Sequence, residues 1–360
     1  MTTGTSPAPR LMTGAVALTG LETATWGSVP RQTSGLATLA LIAERLGDAI
    51  SYDWLMGASG AAFRVQMAHG LLCPSSSNAS CGFDCRQRAL EAWGRPFAHY
   101  DLTAAPRAEA STGNTNMTEA QDEARRAVVA SIDRGVPATY DSEESSLIVG
   151  YAESALLLRA NAASANGYTV MDRWPWSISV ALSGGLSAMS RERVLVESCV
   201  LARELFEAPK SGRYHSGRAA YRHWAELLSN GEALTRGSRQ DAFFALLGNA
   251  FTLQGLGDAR GAASNYLASA MAHAAGPARA ALRQASATYA ELAALVERER
   301  EAVAPYPWEL SDPSQLSSEQ AATQWPATQR ERQVELLSRA RALDERALES
   351  LDAVVSASPR

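Results

Sequence analysis

From Ser190 almost to the C-terminus, the chain is a succession of segments that each carry one apolar stripe at three-and-four spacing. The segments are "RERVLVESCVLARELFE", "GRAAYRHWAELLS", "DAFFALLGNAFTLQGL", "DARGAASNYLASAMAHAA" and "PARAALRQASATYAELAALVERERE". A helix that is apolar on one side must bury that side, so a series of this kind predicts an all-α bundle. Ser190 and Asp241 suit helix starts, and Asn230 and Gly276–Pro277 suit helix ends. After the Pro-rich "APYPWELSDPSQ", a strongly charged last helix is predicted from about Ser318 to Val355, with a break at Pro326. Its seam of Leu336, Leu343 and Leu351 fits either a bundle contact or a homodimer contact through this C-terminal helix.

The residues before Ser190 read differently. Following a leader over 1–13, expected to be flexible, an apolar stripe of Leu36, Leu39, Ala40, Ala43 and Leu46 ends at Gly47, and Ser34 is read as the helix cap. A short helix from Ser51 through Met56 and another beginning at Asp84 follow, and Thr118 with Gln121 forms a capping-box pattern before a stripe that closes at Gly135. "VPATY", "SLIVGY", "ALLLR" and "YTVMDRW" are then short apolar or β-branched runs between polar turns, which predicts a small antiparallel sheet. The expected fold class is therefore α+β, with an α+β domain over 14–185 and a helical bundle over 186–360. "LLGNAFTLQGLGDARGAASNYLASA" has the outline of one tetratricopeptide unit but no second copy at that period, so a helical hairpin is expected there.

Bulk properties exclude several functions. A formal charge of -5 gives no general attraction to phosphate backbones, so no nucleic-acid partner is expected. No segment is apolar for the ~18 residues that a membrane span needs, and the N-terminus lacks a basic region ahead of an apolar run. Four cysteines in 360 residues do not make a disulfide scaffold, and the chain is expected to be cytoplasmic.

Three of those cysteines crowd into "HGLLCPSSSNASCGFDC". His69, Cys73, Cys81 and Cys85 have the ligand chemistry of a zinc site, although not the usual CxxC spacing. Cys85 also follows the candidate cap Asp84, where free helix amides favour a thiolate, and this makes it a candidate acyl acceptor, or a redox thiol with Cys81 as partner. Small buried residues in a tight loop are the alternative. Cys199 falls on an apolar stripe and is read as core. Tyr214, His215, Tyr221, His223 and Trp224 form an aromatic and imidazole-rich helix entrance, with the two histidines too far apart to chelate on one straight helix.

The order of capped helix, "YDWLMGASGAAFR", long helix into "DRGVPATYDSEESSLIVGY", and "GYTVMDRW" resembles the papain-like fold of bacteriocin-processing peptidases. It resembles more closely their non-peptidase relatives, typified by the N-terminal domain of the butirosin-pathway acyltransferase BtrH. The likeness spans roughly Val29 to Trp176, and "GRYHSGRAAYRHWAELL" looks like the helical domain that follows in such proteins. In the peptidases a cysteine at the start of the first helix attacks and a histidine before the apolar strand takes its proton. Here those places read Arg31-Gln32-Thr33-Ser34 and Glu143-Glu144-Ser145-Ser146, so neither the thiol nor the imidazole is present. The resemblance implies a cleft that holds a small molecule instead of cutting a peptide. Its lining would be Gln32, which retains an oxyanion-stabilising amide, Ser34, Glu144 as an anchoring carboxylate, and Trp174 and Trp176, which either stack on a ligand or seal an interface. An acyltransferase or amide-forming enzyme using Cys85, or a metal held by the cysteine cluster, is the competing expectation.

Overall fold

The computed structural model describes residues 14–21, 31–105, 117–142, 145–152, 155–159, 168–171, 173–184, 189–231, 239–305 and 323–357. The chain is α+β and mostly helical, with small antiparallel sheets and a helical C-terminal region. It separates into two compact units, one of Met1–Ser51 with Gly94–Ser187 and one of Tyr52–Trp93 with Ala188–Arg360. The second junction falls beside the expected 185. The first was not expected, because Tyr52–Trp93 groups with the helical unit rather than with the α+β unit. No helix among the described residues is long and apolar enough to cross a membrane.

In the first unit, helix α1 (Ser34–Leu46) buries Leu36, Leu39 and Ile42 and ends at Gly47 in the left-handed conformation, as its stripe and glycine predict. Helix α4 (Glu119–Asp133) begins with the predicted capping box of Thr118 and Gln121. The sheet has the order β3-β8-β4-β5-β6-β7, with β1 (Val16–Ala17) also pairing with β5. Its strands are β3 (Phe97–Asp101), β4 (Ala138–Asp141), β5 (Ser145–Ala152), β6 (Ala155–Arg159), β7 (Tyr168–Val170) and β8 (Ser177–Ala181). All neighbours are antiparallel. Leu147, Ile148 and Val149 of β5 are buried, which explains the unbroken apolar run of a central strand.

In the second unit, α2 (Tyr52–Ala58) and α3 (Cys85–Trp93) join α5 (Arg191–Glu207), α6 (Gly217–Asn230), α7 (Arg239–Ala270), α8 (Gly276–Val303) and α9 (Ala327–Ala357). A three-stranded sheet of β2 (Gln66–Ala68), β10 (Tyr214–Ser216) and β9 (Lys210–Ser211), in that order, lies among them. Helix α2 belongs here because Gly57 lies against the Tyr266 ring, where an added Cβ would come within 2.1 Å of the ring carbons. The expected hairpin is instead the single helix α7, running through Gly255, Gly257 and Gly261. A helical glycine costs only about 1 kcal/mol relative to alanine, and a Cβ on Gly257 would stand 3.1 Å from Val296, so close packing of α8 explains a glycine there. The last helix runs over Ala327–Ala357, beginning just past the expected break at Pro326, while the expected start near Ser318 lies outside the described residues; Leu336, Leu343 and Leu351 are buried within the chain. The seam offered for a homodimer is therefore occupied internally.

One buried ion pair crosses this unit. Arg260 of α7 donates from Nε to Asp344 Oδ1 at 2.7 Å and from Nη2 to Asp344 Oδ2 at 2.6 Å, tying α7 to α9. Its Nη1 donates to Ala62 O at 2.8 Å, and Tyr221 of α6 donates its hydroxyl to Asp344 Oδ2 at 2.7 Å. Burial disfavours the Arg260 charge, but the Asp344 carboxylate more than offsets this and holds the guanidinium protonated. Replacing Arg260 by Met removes the ion-pair partner of the buried Asp344 carboxyl, and chemical denaturation should show a loss of about 3–5 kcal/mol. A joint Arg260→Met and Asp344→Leu change should recover part of that loss. A loss below about 1 kcal/mol in the single variant would contradict the role given to the pair.

Candidate functional site

In the first unit the entrance of α1 meets the ends of three strands. Thr33, not Ser34, is the helix cap position and its side chain caps nothing, whereas Ser34 is the first helical residue. The Ser34 hydroxyl accepts a hydrogen bond from the Ser145 backbone N–H at 3.2 Å, joining α1 to the start of β5. The expected capping role is thus replaced by a tie between helix and sheet. Beside it, Asp141 at the end of β4 accepts the Ser145 hydroxyl on Oδ1 and the Ser177 hydroxyl on Oδ2, the latter at 2.9 Å. The backbone of Trp176 bridges the same place, donating to Asp141 O at 2.8 Å and accepting from Leu102 N at 2.7 Å.

Strand register extends this cluster across four strands. Asp101, Ser177, Asp141 and Ser145 are successive partners along one row, and His99, Ser179 and Thr139 along the next. Directly paired residues project to the same side of a sheet, and so do residues two apart on one strand. The side chains agree, since His99 Nδ1 lies 3.0 Å from Ser179 Oγ and Thr139 Oγ1 lies 3.2 Å from Thr38 Oγ1 of α1. Ser179 and Thr139 are buried, while His99 and Asp101 are exposed, so this polar face opens toward solvent at one side. Hydrogen bonds from Thr103 hold the Asp101 carboxyl below its usual pKa and keep it ionised.

The residues expected at this site divide. Ser34 sits in the cluster, Gln32 is half-buried two residues before it, and Trp176 is half-buried beside Ser177. Trp174 is buried, which removes its face from a ligand. Glu144 lies outside the described residues. Asp141, Ser145, Ser177, Ser179 and His99 were missed, although "ATYD" and "SISVA" place polar residues two apart inside apolar strands. All four cysteines, at 73, 81, 85 and 199, belong to the other unit.

There the loop 78–83 is wound around one guanidinium. Arg64 donates to Cys81 O at 2.9 Å, Phe83 O at 2.8 Å and Asn78 O at 2.7 Å. Cys73 Sγ lies 2.9 Å from Ser75 Oγ, which lies 2.9 Å from the Tyr214 hydroxyl, and Cys81 also interacts with that hydroxyl. Cys85 opens α3 behind Asp84, whose carboxylate accepts from Gln87 N at 2.9 Å and so caps the helix as predicted. Burial nevertheless pushes the Cys85 thiol up, against a lowering influence from Arg64, with Asp84 adding to the rise. Burial and a raised pKa both disfavour the thiolate that an acyl acceptor, or a redox partner for Cys81, requires. Cys199 is core as expected, its thiol pushed up to about 12 by burial.

The expected zinc ligands are not gathered either. Among the described residues no group of three or more His, Cys, Asp or Glu side chains is arranged to hold a metal ion. His69 faces His215. No protein-family model matches this chain, and no curated protein matches it.

Iodoacetamide labelling should modify the half-buried Cys73 and Cys81 in the native protein and reach Cys85 and Cys199 only after denaturation. Fast labelling of native Cys85 near neutral pH would reverse this assignment.

Proposed function

We propose that the chain is a cytoplasmic small-molecule-binding protein whose first unit is a papain-like scaffold lacking the cysteine and histidine of a protease. The observation that carries this reading is the junction of α1 with β4, β5 and β8, where Ser34, Ser145, Asp141 and Ser177 are linked by hydrogen bonds. In the papain-like resemblance this is where reacting groups meet. Here hydroxyls and a carboxylate meet, which can hold a ligand but supply no nucleophile with a paired base. Four free cysteines fit the reducing conditions of cytoplasm.

The chemistry of the site favours a cationic ligand. Asp141 and the ionised Asp101 stand in one row of the sheet, Glu144 directly precedes Ser145, and Trp176 supplies a half-buried aromatic side chain to the same end. A cation that also donates hydrogen bonds would satisfy carboxylates and serine oxygens together.

Isothermal titration against polyamines and aromatic amines, with neutral isosteres as controls, tests this reading. At least one amine should bind while its neutral isostere does not, and Asp141→Asn and Glu144→Ala should each weaken binding about tenfold, equivalent to about 1.4 kcal/mol. Absence of binding across the cationic panel, or affinity unchanged in both variants, would count against the proposal.

A further inference from the structure

Three of the five histidines of the chain meet in the second unit, His69 standing 146 residues before His215 in the sequence. His69 follows β2, His215 lies in β10, and His223 lies in α6. The expected separation of His215 and His223 assumed one straight helix. In the structure β10 turns into α6 at Gly217, at a φ of +51°, and the two rings stand 4.2 Å apart. His69 and His215 rings are 5.1 Å apart, and His69 and His223 are stacked at 5.9 Å with 12° between their planes.

Two hydrogen bonds in this cluster depend on unprotonated ring nitrogens. The Gly70 backbone N–H donates to His223 Nε2 at 3.2 Å, so that nitrogen must present its lone pair. His69 Nδ1 and His215 Nε2 are 3.0 Å apart, so one of them donates and the other accepts. A proton added to His223 sets two N–H groups against each other at Gly70. A second proton shared by His69 and His215 does the same between their rings, and neighbouring imidazolium charges then repel.

We propose that His69, His215 and His223 form a pH-sensitive latch that is closed when the rings are neutral and opens on acidification, releasing the segment 69–71 from β10 and α6. The groups facing His215 are His223 and His69, Lys210 of β9 and Glu226 of α6. Lys210 adds to the repulsion, and Glu226 opposes it, lying 3.6 Å from His223 Nδ1. Burial, then His223, His69 and Lys210, lower the His215 pKa below its ordinary 6.5. A histidine shifted downward in the folded state stabilises the fold fully above about pH 6.5, and the contribution is lost as pH falls below that value. The opening is bounded on one side by Leu72, which is buried and whose carbonyl abuts Gly248 of α7. On the other side it is bounded by Ala68, whose N–H donates to Ser76 Oγ at 3.0 Å. A metal ion fits less well than a proton, because among the described residues no three of these side chains are arranged to hold one.

Hydrogen exchange of the Gly70 amide, corrected for its intrinsic pH dependence, tests the latch. Protection in the full-length protein should fall at least tenfold between pH 7.5 and 5.0. In His223→Gln, whose amide oxygen can accept the same bond without titrating, protection should persist at both pH values. His273→Gln should behave as the unaltered protein does. Ring nitrogen NMR of the unaltered protein gives a second reading that does not depend on a variant folding. It should show His223 with Nε2 unprotonated at pH 7.5, and protonation of that nitrogen should coincide with the loss of Gly70 protection. Unchanged protection at pH 5.0, equal loss in His223→Gln, or loss without His223 protonation would overturn the proposal. So would zinc alone stabilising the protein at pH 7.5 in a manner abolished by His69→Gln, which would make the cluster a metal site.

Discussion

The second unit is organised around the Arg260–Asp344 pair. A guanidinium buried to this degree is tolerated only where its donors are taken up, and here Asp344 accepts two of them while Ala62 O accepts another. Because Asp344 also accepts the Tyr221 hydroxyl, three helices and the segment after α2 share one charged centre. Arg64, two residues beyond Ala62, then carries the same device outward by fixing Asn78, Cys81 and Phe83 through their carbonyls. Two arginines in series thus shape the cysteine-bearing loop. This explains why Cys85 sits sealed in the core.

The first unit uses polar residues for a different purpose. Thr38 of α1 and Thr139, Ser177 and Ser179 of β4 and β8 place buried hydroxyls in this unit, and their hydrogen bonds, Thr38 with Thr139, Ser177 to Asp141 and Ser179 with His99, offset the cost of burial. That arrangement orients Asp141 at the open end of the sheet without exposing a nucleophile. Ser179, although within hydrogen-bonding distance of His99, is too deeply buried to reach a substrate.

Much of the local structure was legible in the sequence because its causes are local. The stripe of α1 with its terminal Gly47, the Thr118 and Gln121 capping box, the cap at Asp84 and the break at Pro326 each depend on residues within a few positions of one another. The misreadings have longer-range causes. Tyr52–Trp93 joins the helical unit through contacts such as Gly57 with Tyr266, more than two hundred residues away, and α7 continues through its glycines because α8 packs closely there. His215 and His223 meet only because a strand, not a helix, precedes Gly217. The polar face was hidden for a related reason, since Asp141, Ser145 and Ser177 become neighbours only when β4, β5 and β8 pair.

The direct measurement of the central idea, a scaffold that holds a cationic compound where a protease would react, is a structure of the protein with its compound bound. The compound's charged group should lie against Asp141 at the entrance of α1, with its body beside Trp176. A compound seated instead among Cys73, Cys81 and Tyr214 of the other unit, or joined covalently to a cysteine, would contradict it.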